Sequence, residues 1–268
     1  MNFLKSDFFK DARHFQIATL GSLLLLLLFW SDFAPRVEVI ALTVASTILT
    51  QFLFFKFLKI PSNDYRSPFI TSLSLCLLFK TNILWIYPLA GAVAMATKFL
   101  IRWDNKHVFN PANAAIVLGL ILLPSHVWVS PGQWGSAVWL GFALISFATL
   151  VLNKAGRADI ALFFLGSWFL LLFGRAIWLG DPMAIPFHNA QSGALLIFAF
   201  FMISDPMTTP NNRWGRLIFA FIVAALAFIF QYGFQIRESI FYALFLVCMT
   251  TPLIDYFLKD QKYQWRKA

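Results

Sequence analysis

The chain has 268 residues, of which 60% are hydrophobic and only 12% are charged, and its mean hydropathy is +0.73. A water-soluble globular domain has about 25% charged residues, so the composition excludes that class and predicts an all-α polytopic membrane protein. In a soluble protein the formal net charge of +9 would suggest nucleic-acid binding. In a membrane protein, the excess of Lys and Arg in the cytoplasmic loops explains the positive charge, so we expect no nucleic-acid partner.

Ten apolar runs follow a basic and aromatic lead, residues 1–14, which is typical of an interfacial segment at the cytoplasmic face. The runs cover residues 15–31, 37–58, 68–79, 83–101, 110–124, 134–152, 158–178, 190–203, 214–232 and 239–257. They predict ten helices in a single transmembrane domain over residues 1–268, with membrane lipid around it.

The distribution of Lys and Arg between the connections predicts the orientation, because cytoplasmic loops carry the excess of these residues. With both termini in the cytoplasm, 17 of the 21 basic residues lie on the inner side. The other four are Arg36, Lys80, Arg175 and Arg237. We therefore expect an inner-membrane protein with cytoplasmic termini.

Two of the runs are shorter than a membrane is thick. Residues 68–79 form the third run, and residues 190–203 form the third run of the second half. The sixteen residues between His188 and Asp205 reach roughly 24 Å as a helix, short of a hydrocarbon core of about 30 Å. Such segments are expected as broken helices buried between others. The alternative is that they are ordinary helices that tilt in the bilayer.

Short segments at matching places in two halves are typical of repeat transporters. They predict five-helix repeats over about 15–124 and 134–257, and the second repeat is inverted because five is an odd number of crossings. Ser67-Pro68 and Asn110-Pro111 each place a capping side chain before a proline, which predicts two helix N-termini on the inner side. Either start could bind an anion, a carbonyl group or the edge of a flavin, or could be only a helix start.

Two motifs resemble a known family. Lys106 to Asn113, KHVFNPAN, is similar to the NPFNPA stretch of the D subunit of Rnf electron transport complexes and the B subunit of the sodium-translocating NADH:quinone reductase. Ser204 to Pro210, SDPMTTP, followed by Arg213 and Arg216, is similar to their second motif. The order and spacing of these motifs fit over nearly the whole chain. The resemblance implies a urea-transporter-like fold of ten helices in two inverted repeats.

One difference from that family concerns the cofactor. Its members carry FMN esterified to a Thr of an S-G-A-T motif, in the loop after the NPFNPA helix. The matching loop here, Ser125 to Gly135, contains no Thr. Ser192-Gly193-Ala194 is similar to the first three residues of the motif, but it lies elsewhere in the chain and Leu195 replaces the Thr. We therefore expect no covalent FMN, and the chain resembles shorter, stand-alone members. Riboflavin or FMN could still be bound non-covalently.

The polar residues of both motifs and of the third run are the candidate site. Buried polar groups in a membrane are costly unless a ligand or another polar group binds them. The cofactor-binding candidates are Ser67, Thr71, Asn110, Asn113, Asp205, Thr208, Thr209 and Arg213. Asp205 could instead form a structural ion pair with Arg213 or Arg216. The four His residues show no metal-ligand spacing, and no catalytic side-chain constellation is present.

Two functions remain open. The first is a subunit of a flavin- or quinone-linked electron transport system, with redox partner subunits. The second is a channel or transporter for a small solute, which could itself be a flavin, between the repeats. A homo-oligomer is compatible with either function.

The charge asymmetry leads to a prediction about topology. A single cysteine introduced near Lys267, in a variant without Cys76 and Cys248, should react with a membrane-impermeant maleimide only after the cytoplasmic face is opened. Labelling of this cysteine in intact cells would contradict the ten-helix inverted arrangement.

Overall fold

Apolar helices form the body of the chain in a computed structural model, which describes residues 11–30, 34–61, 64–130, 152–153 and 155–263. The helices are α1 (Ala12–Trp30), α2 (Val37–Phe57), α3 (Arg66–Leu78), α4 (Ile86–Leu100), α5 (Pro111–Leu122), α6 (Ala158–Leu179), α7 (Ala184–Ala190), α8 (Gly193–Ile197), α9 (Arg213–Gly233), α10 (Ser239–Cys248) and α11 (Thr251–Phe257). The strands are β1 (Phe79–Thr81), β2 (Arg102–Trp103), β3 (Lys106–His107) and β4 (Val127–Val129).

Four described helices, α1, α2, α6 and α9, are long and apolar enough to cross a membrane. The number rises to six if each of two bent helix pairs counts as one span. These helices expose large apolar side chains along their outer faces, as lipid-facing helices do. The chain is therefore a multi-pass, largely helical membrane protein.

Nine of the predicted apolar runs lie in the described part of the chain, and each of them coincides with helical residues. The sixth run, 134–152, lies almost entirely in residues 131–151, outside the described residues. The last predicted run contains a 48° bend between α10 and α11, where Pro252 follows Thr251 at the start of the second piece. Proline removes a backbone N–H group there, which explains why a continuous helix does not form.

The predicted short helix of the first half is an interior helix. Helix α3 has 13 residues, so it is about 20 Å long. Its buried residues lie around the helix and not on one face, and they include Thr71, Ser72, Ser74 and Cys76. The helix packs against α1 and α2. A helix this short can carry hydroxyl groups at membrane depth because protein surrounds it.

A small antiparallel ribbon completes the short helices of the first half. Strand β1 follows α3 directly, strand β4 follows α5, and the two strands pair with Phe79 opposite Val129 and Thr81 opposite Val127. Helix α5 has only 12 residues. The ribbon therefore provides hydrogen-bond partners for backbone groups beyond the ends of both short helices.

The short helix of the second half is bent and irregular. Helices α7 and α8 form a 49° bend, and α8 continues as a π-helical turn, Phe198–Met202, in which all five residues are buried. π-Helical turns are rare and occur often at functional sites. This turn ends immediately before Ser204 and Asp205, so the polar motif leaves the helix at its irregular end.

Close packing of α2 on α4 depends on one glycine. A Cβ atom at Gly91 would lie 3.2 Å from Ser46 Oγ and 3.2 Å from Thr47 Cγ2. The Ser46 hydroxyl also donates a hydrogen bond to the carbonyl of Pro88. A larger side chain at this position would have to move α2 and α4 apart.

We expect Gly91→Leu to lower the melting temperature of the detergent-purified protein by about 3–8 °C, because overpacking costs about 1–3 kcal/mol. Thermal unfolding followed by tryptophan fluorescence measures the change. The matched control is Gly166→Leu, because Gly166 is exposed and has open space around its Cβ position. Equal shifts for both variants would show that the contact at Gly91 does not constrain the packing.

Candidate functional site

A cavity of about 290 Å³ lies where α1, α3, α4, α5 and the segment after the π-helical turn meet. We call it the first cavity. Its wall includes Ser67, Thr71, Lys98, Asn110 and Asp205. The polar motifs of the two halves, which are far apart in sequence, thus meet at one site.

One wall of the first cavity is a line of hydroxyl groups. Ser67, Thr71 and Ser74 all line the cavity and are four and three residues apart on α3, a spacing that places them on one helix face. The Lys98 ammonium donates to Ser67 Oγ at 2.9 Å and to Gln51 Oε1 at 2.8 Å. A lysine has three N–H donors, so one remains after these two bonds.

The hydroxyl groups of Thr71 and Ser74 form no hydrogen bond with any described residue, although both residues are almost fully buried at 4% and 3% exposure. Aromatic side chains, Phe99, Phe200 and Phe201, lie on other parts of the wall. Because both residues line the cavity, their hydroxyl groups are free to bind water or a ligand there. The cavity therefore has both polar donors and aromatic side chains in its lining.

Asp205 lies between the two halves of the chain. Its Oδ2 atom accepts a hydrogen bond from Asn110 Nδ2 at 3.3 Å and lies 3.3 Å from His107 Nε2. Its Oδ1 atom accepts the backbone N–H of Met207 at 3.0 Å. Asn110 also caps α5, because its side-chain oxygen accepts the backbone N–H of Asn113 at 3.1 Å. One amide side chain thus fixes both a helix start and the carboxylate.

The segment after Asp205 is held by its own hydroxyl groups. Thr208 and Thr209 both donate to the Asp205 carbonyl, at 3.2 Å and 2.9 Å. Lys106 Nζ donates to the Thr209 carbonyl at 2.6 Å and to Asp255 Oδ2 at 3.0 Å. Burial lowers the pKa of Lys106, and Asp255 opposes this effect. These contacts fix the segment against β3 and α11.

Four charged side chains form a cluster near the start of α1, and two of them, Arg13 and Asp64, line the first cavity. Asp11 and Asp64 alternate with Arg13 and Arg66, and Arg13 Nη1 lies 2.7 Å from Asp64 Oδ2 while Arg66 Nη1 lies 2.7 Å from Asp11 Oδ2. Burial alone would raise the pKa of Asp64, but hydrogen bonds from Arg66 and the charge of Arg13 lower it well below its ordinary value. The cluster therefore stabilises the fold while its carboxylates are ionised.

The structure brings only part of the predicted site to the first cavity. Ser67, Thr71, Asn110 and Asp205 line it. Thr208 lines a neighbouring cavity, and Thr209 is fully buried in the turn. Asn113 is buried behind the wall, where its amide donates to the Phe241 carbonyl and its Oδ1 atom has no partner among the described residues. Arg213 is exposed at the start of α9.

Two local predictions were wrong. Ser67 is not a cap, because α3 begins at Arg66, and the Ser67 hydroxyl binds Lys98 instead. Asp205 pairs with neither predicted arginine, since Arg216 binds Asp159 through Nε at 3.0 Å and Arg213 is exposed. The prediction of Asn110 as a cap is confirmed.

Several residues at this site were missing from the sequence prediction, among them Gln51, Ser74, Lys98 and His107. Gln51 and Lys98 are polar residues inside apolar helices, and such positions usually have a partner or a function. The positions of Gln51 and Lys98 in the sequence could therefore have identified them. His107 lies within the Lys106 to Asn113 motif, but its contact with Asp205 depends on a residue 98 positions away.

The sequence profile of the NQR2, RnfD, RnfE family matches residues 131–264, which is half of the chain. The chain belongs to this family. The matched region contains the Ser204 to Pro210 motif, whereas Lys106 to Asn113 lies outside it. The profile therefore supports the resemblance for the second half of the chain.

Three relatives, from Escherichia coli, Shigella boydii and Shigella sonnei, are each described as the D subunit of an ion-translocating oxidoreductase complex. Each is 34% identical to the chain over 138 residues, which cover 51% of this chain and 38% of the relative. The chain thus matches well under half the length of these relatives. Membership of the family and the apolar helices together place the chain among membrane proteins.

The ion cluster leads to a prediction about pH. A lowered pKa in the folded state means that Asp64 stabilises the fold above its unfolded pKa of about 3.9, and that this contribution disappears as the pH falls further. At pH 7, Asp64→Asn should lower the melting temperature by about 2–4 °C, or about 1 kcal/mol. The difference from the unmodified protein should shrink between about pH 4 and pH 3.

The control for this measurement is Asp260→Asn, since Asp260 is exposed and lies outside the cluster. It should change the melting temperature little at any of these pH values. A difference for Asp64→Asn that stays constant down to pH 3 would contradict the role given to its carboxylate.

Proposed function

We propose that the chain is a membrane subunit of a flavin- or quinone-linked electron transport system, with a redox-active ring bound non-covalently in the first cavity. The observation that supports this most is the pairing of free hydroxyl groups, Thr71 and Ser74, with the aromatic side chains of the same cavity. Membership of the family supports a redox function over solute transport. An electron carrier must be a bound group, because no side chain here carries electrons.

The size and lining of the cavity fit a ring and not a large cofactor. Its volume of about 290 Å³ is at the lower end of ligand pockets, which hold about 300–1,000 Å³. A planar ring with carbonyl oxygens could place its edge toward Lys98 and the hydroxyl groups and its faces toward Phe99, Phe200 or Phe201. A nucleotide tail would exceed this volume.

Each wall would have a separate task. Lys98, Thr71 and Ser74 would donate hydrogen bonds to ring oxygens and so orient the ring. The phenylalanine side chains would exclude water from its faces. When bound, a flavin or quinone would accept and donate the electrons, and the protein would determine the position of the ring and the polarity of its surroundings.

The proposal extends to the architecture and partners. Two matching contacts support inverted repeats of the kind predicted: α2 packs on α4 in the first half, and α6 packs on α9 in the second half. The name shared by the relatives describes one component of a complex, which supports partner subunits as the source and acceptor of electrons. We also propose that the basic ends of the helices face the cytoplasm.

The test is ligand binding by the full chain in detergent. Riboflavin and menadione are the two probes, and fluorescence quenching measures their affinity. The double variant Thr71→Val with Ser74→Ala should raise the dissociation constant of the bound probe about tenfold, which corresponds to about 1.4 kcal/mol. We also expect the riboflavin to be released on denaturation, with no fluorescent band in an SDS gel after co-expression with a flavin transferase.

The matched control is Thr43→Val, because Thr43 is equally buried but its hydroxyl donates to the Val39 carbonyl in α2. It should leave the affinity unchanged. Absence of binding by both probes, or equal losses in both variants, would contradict the proposed site. Binding of riboflavin that membrane electron donors cannot reduce would favour the transport function instead.

A further inference from the structure

Arg102 lies where the first cavity meets solvent, because it is exposed and also part of the lining. It follows the C-terminal end of α4 in strand β2 and is opposite His107 in strand β3. Residues opposite each other in a ribbon have their side chains on the same face, and both of these residues line the first cavity. The other pair of the hairpin, Trp103 and Lys106, lines the neighbouring cavity instead. The register of the hairpin therefore places Arg102 at the first cavity.

The guanidinium of Arg102 has donors available for a ligand. Its Nη2 atom donates to the Asn105 carbonyl at 2.9 Å, within the same hairpin. None of the carboxylates in the described part of the chain forms an ion pair with it, and the acidic residue nearest in sequence, Asp104, pairs with Lys262. A guanidinium has five N–H donors, so four remain after the bond to Asn105.

The charges of the cavity favour an anionic ligand. Among the described residues of its lining, Arg13 and Asp64 form an ion pair with 2.7 Å between Nη1 and Oδ2. Lys98 donates only to uncharged side chains. With neutral histidine, Lys98 and Arg102 therefore leave two positive charges against the single carboxylate of Asp205. A concave site with an excess of one charge attracts ligands of the opposite charge.

The volume of the cavity determines where an anionic group of the ligand lies. About 290 Å³ holds a ring, so a chain attached to the ring leaves through the open side. Arg102 is at this side and follows Lys98 by four residues, so one ligand can contact Lys98 with its ring and Arg102 with the end of its chain. A guanidinium can bind phosphate through two parallel N–H groups, and a phosphate monoester carries about two negative charges at pH 7.

We infer that Arg102 binds a phosphate group at the end of the ligand's chain, so that the first cavity selects FMN over riboflavin. This inference rests on the proposed function, because the flavin ring must occupy the cavity for its chain to reach Arg102. The two flavins have the same ring and the same ribityl chain, and they differ only in the terminal phosphate. The ratio of their affinities therefore isolates the contribution of the phosphate.

The first experiment measures the dissociation constants of FMN and riboflavin by fluorescence quenching, with the full chain in detergent at low salt. FMN should bind at least about fivefold more tightly than riboflavin, because the bond from Arg102 is charge-assisted. In Arg102→Gln the ratio of the two dissociation constants should fall to about one. In the unmodified protein the ratio should fall as the ionic strength rises from about 0.05 M to about 0.5 M, because salt screens an exposed charge.

The matched control is Arg237→Gln, since Arg237 is also exposed and lines neither cavity. It should leave the ratio at the value of the unmodified protein. A purely structural role of Arg102, in which its charge interacts with the C-terminal end of the α4 dipole, gives a different result. Arg102→Gln would then lower the melting temperature without changing the ratio. That result, or a ratio near one in the unmodified protein, would overturn the inference.

A second measurement examines Arg102 without a bound ring. Phenylglyoxal modifies exposed arginine side chains, and mass spectrometry compares the rates at Arg102 and Arg237 in one sample. FMN should slow the modification of Arg102 more than riboflavin does, and inorganic phosphate at millimolar concentration should slow it as well. Protection by inorganic phosphate in a protein that binds neither flavin would contradict the proposed function but support an anion site at Arg102. Absence of protection by both FMN and inorganic phosphate would overturn the inference.

Discussion

Backbone and side-chain polar groups inside a lipid-surrounded protein must find their partners within the protein, and this constraint explains the irregular parts of the chain. Helices α3 and α5 are too short to cross a membrane, and the pairing of β1 with β4 continues their hydrogen bonding. The start of α5 is capped by Asn110. Where the π-helical turn ends, Asp205 and the two threonines after it bind the backbone.

The same groups that satisfy the backbone also shape the candidate site. Asp205, which lines the first cavity, binds the Met207 amide with one oxygen and contacts Asn110 and His107 with the other. By contrast, Thr71 and Ser74 have no structural partner among the described residues, which is why they are better probes of ligand binding. A substitution at Asp205 would change the fold and the site together.

Sequence reasoning located the described helices because an apolar run is a local property of the sequence. The short third run and the Asn110-Pro111 start can be recognised from length and capping chemistry alone. The contacts of Asp205 could not be recognised in this way. His107 and the arginines can all bind a carboxylate, and only the packing of the two halves brings His107 to Asp205. Ser67 was assigned to a helix start for the same reason, since its true partner, Lys98, lies on another helix.

The contacts of Lys106 connect segments of the chain that are synthesised far apart. Lys106 belongs to the first half, yet its ammonium binds Thr209 and Asp255, which lie 103 and 149 residues further along the chain. During synthesis the ammonium cannot bind either partner until that later segment has been made. Since the β2–β3 hairpin carries Lys106, its hydrogen bonding to the second half is complete only after α11 has been made.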